Sequence, residues 1–256
     1  MHLVDTHNHI YLQEFDADRD DVIGRGVSAG VTSLLLPGID SSSFKSMIEV
    51  AARYKDVCRP MIGLHPTSVN ESYKKELDFI HDHLHDKMFY GIGETGIDLY
   101  WDKTFINEQL VSFNEHLLIA EKNDLPVVIH ARESLEVIFD HITRFGPGKV
   151  TGVFHAFPGN AEDARKAVNM GFKIGIGGVV TFRNSKTGEA ALAAGIENIV
   201  LETDAPYLTP VPFRGKRNES AYLIYTVNKL AELFSMEPEE VAGITTANAI
   251  RLFKLN

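Results

Sequence analysis

The chain has one cysteine, one tryptophan and no apolar run that approaches the length of a membrane span. A single thiol excludes an internal disulfide and is typical of proteins in a reducing compartment. The first residues have neither the positive start nor the apolar run of a secretory signal, so we expect a cytoplasmic protein without membrane partners. No low-complexity stretch or long linker divides the chain. We therefore expect a single domain over residues 1–256.

Positive charge is also scarce, because the chain has 25 Lys and Arg residues against 35 Asp and Glu residues, which gives a net charge of −10. This balance argues against a protein that coats nucleic acid through bulk charge. The 44% hydrophobic and 23% charged fractions argue against wholesale disorder. Histidine, by contrast, is abundant, with eleven residues in a chain of 256.

Short apolar runs alternate with amphipathic segments along the chain. The runs are mostly continuous, which is typical of strands covered on both faces. Eight runs at spacings of roughly 20–35 residues predict a (β/α)8 TIM barrel, an α/β fold, with C-terminal closing helices over 220–234 and 238–253. The predicted strands cover 3–4, 32–36, 61–64, 89–92, 126–129, 151–154, 172–176 and 199–201.

An open, doubly wound sheet is the rival fold. That fold usually carries a glycine-rich phosphate turn after its first strand, whereas Thr6-His7-Asn8-His9 stands there in this chain. Local signals also mark helix ends. Ser41 and Asn160 are predicted N-caps, and Gly146-Pro147-Gly148 predicts the end of a helix over 133–145.

Five histidines and several carboxylates directly follow predicted strands. The chemistry of such barrels lies at the carboxyl ends of the strands. One histidine in this position is more often a core residue bonded to backbone, but ionisable groups are rarely buried together without a common partner such as a metal. The residues concerned are His7, His9, His65, His130 and His155, with Glu94 and Asp204 among the carboxylates.

Histidine and carboxylate without cysteine are the usual ligands of Zn, Mn or Fe, and of Mg with more water. His7 and His9 are two residues apart on one strand, so both imidazoles point to the same side and can hold one ion. Asp5 is either a further ligand or a partner that orients a histidine. The run over 81–86, with His81 and His85 one helical turn apart, is predicted to be a solvated helix end.

Basic residues stand in the loops after the fifth, seventh and eighth predicted strands. Phosphate sites in these barrels often use the loops after strands seven and eight, and guanidinium groups match phosphate oxygens. Beside a metal site, phosphate binding is favoured over a merely solvated loop. Trp101 either stacks on a nucleobase or packs to close the barrel. The basic residues are Arg132, Arg183, Lys186, Arg214, Lys216 and Arg217.

The strand-end motifs occur in the order DTHNH, GLHP, GETGID, IHARE, FHAF, GIGGVVTF, ETDAP and RGKRNE. This ordered set resembles the TatD-related metal-dependent deoxyribonucleases of the amidohydrolase superfamily over essentially the whole chain. The resemblance implies that His65 and Arg132 lie beside the substrate phosphate. The chain departs from the family pattern at Ala156 and Ser220, and neither is a matched ligand. The resemblance implies two divalent ions (Mg, Mn or Zn) on His7, His9, Glu94, His130, His155 and Asp204.

The expected function is cleavage of phosphodiester bonds of DNA, as a 3′-5′ exodeoxyribonuclease on a single strand or 3′ end, with a monomer favoured. Glu94 would bridge the ions, and Asp204 would exchange a proton with water and the leaving oxygen. The predicted substrate-binding residues are His65, Arg132, Arg214 and Lys216. One alternative is a hydrolase of the same fold that acts on a small ester, lactone or amide, or on an aminoacyl ester of RNA. Another is a non-catalytic binding barrel.

Overall fold

The computed structural model describes residues 1–84 and 88–255, in which eight strands alternate with nine α-helices. The strands are β1 (Leu3–Asp5), β2 (Val31–Leu36), β3 (Cys58–Pro60), β4 (Ile92–Asp98), β5 (Val127–Arg132), β6 (Gly152–Phe154), β7 (Phe172–Ile176) and β8 (Ile199–Leu201). The helices are α1 (Arg19–Ser28), α2 (Ser41–Arg53), α3 (Tyr73–His83), α4 (Ile106–Asn123), α5 (Leu135–Phe145), α6 (Ala161–Asn169), α7 (Thr187–Ala194), α8 (Leu223–Phe234) and α9 (Pro238–Phe253). Within the described residues, no helix is long and apolar enough to cross a bilayer.

All strand pairs are parallel, and the strands follow chain order around a closed ring. β1 to β3 form one sheet and β4 to β8 form another. A bridge between Ile62 and Ile92 joins the two sheets on one side, and a bridge between Asn8 and Ala205 joins them on the other. The predicted (β/α)8 barrel is therefore confirmed, together with its two closing helices, of which the first begins at Leu223 after a short 3-10 turn.

The prediction is wrong for the bounds of two strands. Strands were expected over 61–64 and 89–92, whereas β3 ends at Pro60 and β4 begins at Ile92. β4 is buried along its whole length although it contains Glu94, Thr95 and Asp98. A search for apolar runs therefore misses most of β4, because these polar residues interrupt its apolar pattern.

Helix ends largely follow their local signals. The Asn160 side chain accepts hydrogen bonds from two amides at the start of α6, as expected of an N-cap. For α2 the cap is Asp40 rather than Ser41, because the Asp40 carboxylate accepts from the Ser43 amide (3.1 Å). Gly146 ends α5 as predicted. The predicted solvated helix end is only partly visible, because His85 lies outside the described residues.

A small apolar core fills the amino end of the barrel. The Thr246 hydroxyl of α9 donates to the His2 carbonyl (2.8 Å), which places this helix below the start of β1. Apolar side chains at this end leave the polar strand ends to meet at the opposite mouth of the barrel. The core consists of Val4, Leu35, Met61, Val128, Val153 and Val200, covered by Ala249, Phe253 and Leu255.

Candidate metal centre

The first half of the site lies just beyond β1. The Nε2 atoms of His7 and His9 are 3.2 Å apart, and both rings are buried. Oε2 of Glu94 lies 3.1 Å from the His7 Nε2 atom and 3.8 Å from that of His9. Oδ1 of Asp204, which follows β8, lies 3.7 and 3.6 Å from the same two nitrogens. Two nitrogens and two carboxylate oxygens therefore face one point.

The second half of the site surrounds the other oxygen of Glu94. Oε1 lies 2.9 Å from Nδ1 of His130, 2.9 Å from Nε2 of His155 and 3.3 Å from Nε2 of His65. Each oxygen of one carboxylate thus faces a separate group of histidines. The structure brings together all six predicted ligand residues and adds His65 to their immediate neighbours. We name the set the Glu94 cluster, which consists of His7, His9, His65, Glu94, His130, His155 and Asp204.

Burial and neighbouring charge set the protonation of the cluster. Burial alone would raise the pKa of Glu94, but the charges of His155, His65 and His7 outweigh burial and hold this pKa well below its usual value. Burial lowers the pKa of His7, and the charge of His155, whose ring stacks on His7 at 3.9 Å, lowers it further. Burial alone would lower the pKa values of His130 and His155, but the neighbouring carboxylates outweigh burial and raise them. Metal ions bind ionised carboxylates and neutral imidazoles, so an ion in this cluster would displace the protons of these two histidines.

The donor set therefore fits divalent metal. Imidazole nitrogens and carboxylate oxygens suit Zn, Mn or Fe, and no cysteine is needed. In three overlapping groups, one ligand atom per residue lies within 4.8 Å of the other two. Glu94 and His7 each belong to two of these groups. The groups are His7, His9 and Glu94; His7, His155 and Asp204; and His65, Glu94 and His130.

Asp98 is a site residue that the sequence reasoning missed. Its Oδ2 atom lies 2.9 Å from Nε2 of His130, on the opposite side of the ring from Glu94. Burial would raise the pKa of Asp98, but the bonds from His130 and from two backbone amides lower it to about 2. The spacing in the sequence could have indicated this residue. Asp98 stands four residues after Glu94, and side chains an even number of positions apart on a strand lie on the same face.

Glu202 stands beside His155 and was also missed. Its Oε1 atom accepts from the Ala156 amide (2.5 Å) and lies 3.7 Å from Nδ1 of His155. Gly175 on β7 makes room for this side chain, because a Cβ there would overlap the Glu202 carboxylate. A hydrogen-bonded carboxylate fixes the orientation of a histidine ring, so Asp98 holds the His130 ring in place, whereas Glu202 lies behind His155 without a hydrogen bond to its Nδ1 atom.

Asp5 is a buried carboxylate at the end of β1 that accepts hydrogen bonds from residues next to the site. Its carboxylate accepts from the Thr203 amide (2.9 Å), the Thr203 hydroxyl (2.6 Å), the Ser220 hydroxyl (2.8 Å) and the Asn8 amide group (2.9 Å). Burial raises the pKa of Asp5 to about 6 despite these bonds. Of the two roles open to Asp5, the structure favours support over ligation, since the carboxylate ties the loops after β1 and β8 together.

Five of the six predicted phosphate-binding cations are exposed, and none of these five forms an ion pair with another described residue. Arg132 ends β5, Arg183 and Lys186 follow β7, and Arg214 and Lys216 stand in the loop after β8. Arg217 in the same loop differs, because it donates to the Asp18 carboxylate (2.6 Å). That arginine holds the loop in place and is not available to a substrate.

Comparison with known proteins agrees with this geometry. The sequence pattern of the family described as "TatD related DNase" matches residues 4–254. The chain belongs to the TatD-related family. It is therefore a metal-dependent hydrolase, with His, Glu and Asp groups that can hold metal.

The chain aligns over nearly its whole length with other members of the family. It is 36% identical over 255 residues to the uncharacterized metal-dependent hydrolase YabD of Bacillus subtilis, with 99% of the chain and 100% of the relative covered. It is 34% identical over 264 residues to the uncharacterized metal-dependent hydrolase TatD of Mycobacterium tuberculosis, with 99% and 98% covered. The crystal structure of YjjV, a TatD homologue from Escherichia coli, superposes with a TM-score of 0.93 at 28% identity, with 99% and 98% covered.

Proposed function

We propose that this TatD family member hydrolyses phosphodiester bonds of DNA and releases nucleotides from the 3′ end of a single strand. The observation that carries the proposal is the position of three exposed cations, Arg132, Arg214 and Lys216, at the same end of the barrel as the buried Glu94 cluster. Guanidinium and ammonium groups form charge-assisted hydrogen bonds with phosphate oxygens, whereas a neutral ester has no charge to pair with them.

Two divalent ions (Mg, Mn or Zn) would occupy the two sides of Glu94. His7, His9 and Asp204 would hold one ion, and His130 and His155 would hold the other. Bound ions supply Lewis-acid activation of the phosphoryl group and of the attacking water. Glu94 suits the shared position because each of its two oxygens faces one histidine group.

Asp204 is proposed to move the proton. Its side chain is 14% exposed, against 3% for Glu94, so water and substrate reach it more easily. Burial opposes ionisation, but the hydrogen bond from His9 and the charge of His7 lower the pKa of Asp204, which is therefore a base at neutral pH. It accepts the proton of the attacking water as the new P–O bond forms. It then donates that proton to the alcohol oxygen that leaves as the old P–O bond breaks.

The phosphate needs contacts of its own on this side of the barrel. His65, whose Nε2 atom lies 3.3 Å from Glu94, and Arg132 are proposed to hold the reacting phosphate. Arg214 and Lys216 in the loop after β8 are proposed to hold the phosphates that follow along the strand. Orientation by several such contacts lowers the entropic cost of the reaction.

The test is a nuclease assay in which the metal is varied. Wild-type protein with Mg, Mn or Zn should release mononucleotides from a single-stranded oligonucleotide, and His130→Ala and Asp204→Asn should not. His141→Ala is the matched control, because His141 lies in α5 and contacts Asn114 rather than the cluster. A wild-type protein that is inert with every metal and DNA form would remove the proposed substrate.

A charge test separates DNA from a neutral ester. The double variant Arg214→Ala/Lys216→Ala should lose most activity on DNA, whereas Lys74→Ala/Lys75→Ala, which removes the same charge from the exposed face of α3, should keep it. Equal activity of both double variants on a neutral ester, with no cleavage of DNA, would favour an ester or amide substrate. Metal analysis that finds no affinity for divalent ions would favour a non-catalytic barrel.

A further inference from the structure

Two large aromatic side chains stand exposed in the loop that follows β4. Tyr100 is 50% exposed and Trp101 is 68% exposed. A tryptophan that closed the barrel by packing would be buried, so the exposure of Trp101 argues against that role. Exposed aromatic surface beside a site is typical of a binding surface, because large rings contribute much contact area at small entropic cost.

The backbone of this loop is tied directly to the Glu94 cluster. Oδ1 of Asp98 accepts from the amides of Tyr100 (2.9 Å) and Trp101 (3.1 Å). Oδ2 of the same carboxylate lies 2.9 Å from His130. One buried side chain therefore fixes both the aromatic loop and a proposed metal ligand, so the two rings stand at a set position relative to the reacting phosphate.

Arg132 completes the surface. Its guanidinium carbon lies 3.8 Å from the centre of the Tyr100 ring and 5.2 Å from that of Trp101. The two rings are perpendicular, with centres 4.9 Å apart. Because Arg132 is held by aromatic faces and not by a carboxylate, its N–H groups are free to donate to phosphate.

We propose that Tyr100, Trp101 and Arg132 form a stacking subsite for one unpaired nucleobase of the substrate strand. The proposal rests on the proposed function, because the phosphate attached to that base must reach the Glu94 cluster. A nucleobase is the occupant that fits, since it presents a flat face to the indole ring while its phosphate pairs with the guanidinium. Any base can stack in this way, but a base within a duplex cannot, so the subsite selects single strands and frayed ends.

The sole tryptophan makes stacking measurable without cleavage. Wild-type protein is titrated with a thymidine tetramer that has phosphorothioate linkages, which keep the negative charge that Arg132 is proposed to bind and resist cleavage, while Trp101 fluorescence is recorded. An abasic tetramer with the same linkages is the control ligand. We expect saturable quenching by the thymidine tetramer and none by the abasic one. Equal quenching by both, or quenching by neither, would overturn the proposal.

Cleavage kinetics supply the second measurement. On a single-stranded oligonucleotide, Trp101→Ala should raise KM at least about fivefold with kcat nearly unchanged, because stacking stabilises bound substrate and transition state alike. Trp101→Phe should restore most of the loss. Val111→Ala, which trims a 51% exposed apolar side chain on α4, is the matched control and should change nothing.

The two proposals fail separately. Cleavage of DNA with an unchanged KM for Trp101→Ala would refute the stacking subsite and leave the nuclease intact. Base-dependent quenching in a protein that cleaves no DNA would refute the nuclease and retain the subsite. Quenching by an aromatic dipeptide but not by the thymidine tetramer would assign the surface to peptide binding and overturn the proposal.

Discussion

His116 provides a direct test of how the barrel holds the segment after β3 in place. The residue lies in α4 and is fully buried. Its Nε2 atom accepts from the Leu64 amide (3.0 Å), and its Nδ1 atom donates to the Ser112 carbonyl (2.7 Å). The ring must therefore be neutral. Leu64 directly precedes His65, so this one imidazole fixes the backbone that carries a member of the Glu94 cluster.

The pH dependence follows from the pKa of this ring. Burial lowers the pKa of His116 from 6.5 to about 4, while the unfolded chain keeps the ordinary value. Between these values the unfolded chain binds a proton that the folded protein excludes. The contribution to stability is thus fully present above pH 6.5, falls as the pH drops toward 4 and is gone below it. The difference corresponds to about 3 kcal/mol.

The perturbation that tests this reasoning is His116→Gln. A glutamine oxygen can accept from the Leu64 amide but does not titrate, and it fills the space less well. At neutral pH we expect the variant to be less stable by about 1–3 kcal/mol. Between pH 6.5 and 4 the wild type should lose about 3 kcal/mol of stability that the variant keeps, because only its unfolded chain gains a proton at position 116, so the gap should close and can change sign.

Urea unfolding in EDTA, followed by circular dichroism over this pH range, measures both quantities without interference from bound metal. His2→Gln, at an exposed position before β1, is the matched control and should run parallel to the wild type. A gap between wild type and His116→Gln that stays constant from neutral pH to pH 4 would refute the neutral, buried His116 described above.

Three further predictions follow from the same contacts. Gly96→Ala should abolish folding or metal binding, because Gly96 has φ +139° and a Cβ there would overlap the His130 carbonyl; metal content and circular dichroism of the purified variant would check this. Ser220→Ala should lower the free energy of unfolding by about 1–2 kcal/mol, because it removes one donor to the buried Asp5 carboxylate (2.8 Å), whereas Ser220→Thr should cost less. Removal of metal with EDTA should lower Tm, and Mn should restore it, since ions bind only the folded cluster; Glu94→Gln should show a much smaller difference.

The sequence predicted the architecture and the group of residues that meet at one end of the barrel, because both rest on residue type at the ends of strands. The sequence did not predict the residues whose part is to contact another side chain of the site. Asp98 and Glu202 contact histidines that come from different strands, and such pairings require the closed ring of strands. The loop after β8 shows the same limit. Arg214 and Arg217 look alike in sequence, yet only the second is held by Asp18, a residue almost 200 positions away.

The four carboxylates at the site bear on how an acidic chain could act on a polyanion, which is the proposed substrate. Within the described residues, Glu94, Asp98, Glu202 and Asp204 are gathered around the histidines of the Glu94 cluster. Two divalent ions would offset about four negative charges, which would remove much of the repulsion that a phosphate would meet there. The cations Arg132, Arg214 and Lys216 have no carboxylate partner within the described residues and would be available to the phosphates of the proposed substrate. A net charge of −10 argues against broad binding along a duplex, whereas the proposed contacts with a few phosphates at one strand end depend only on these local cations and the bound ions.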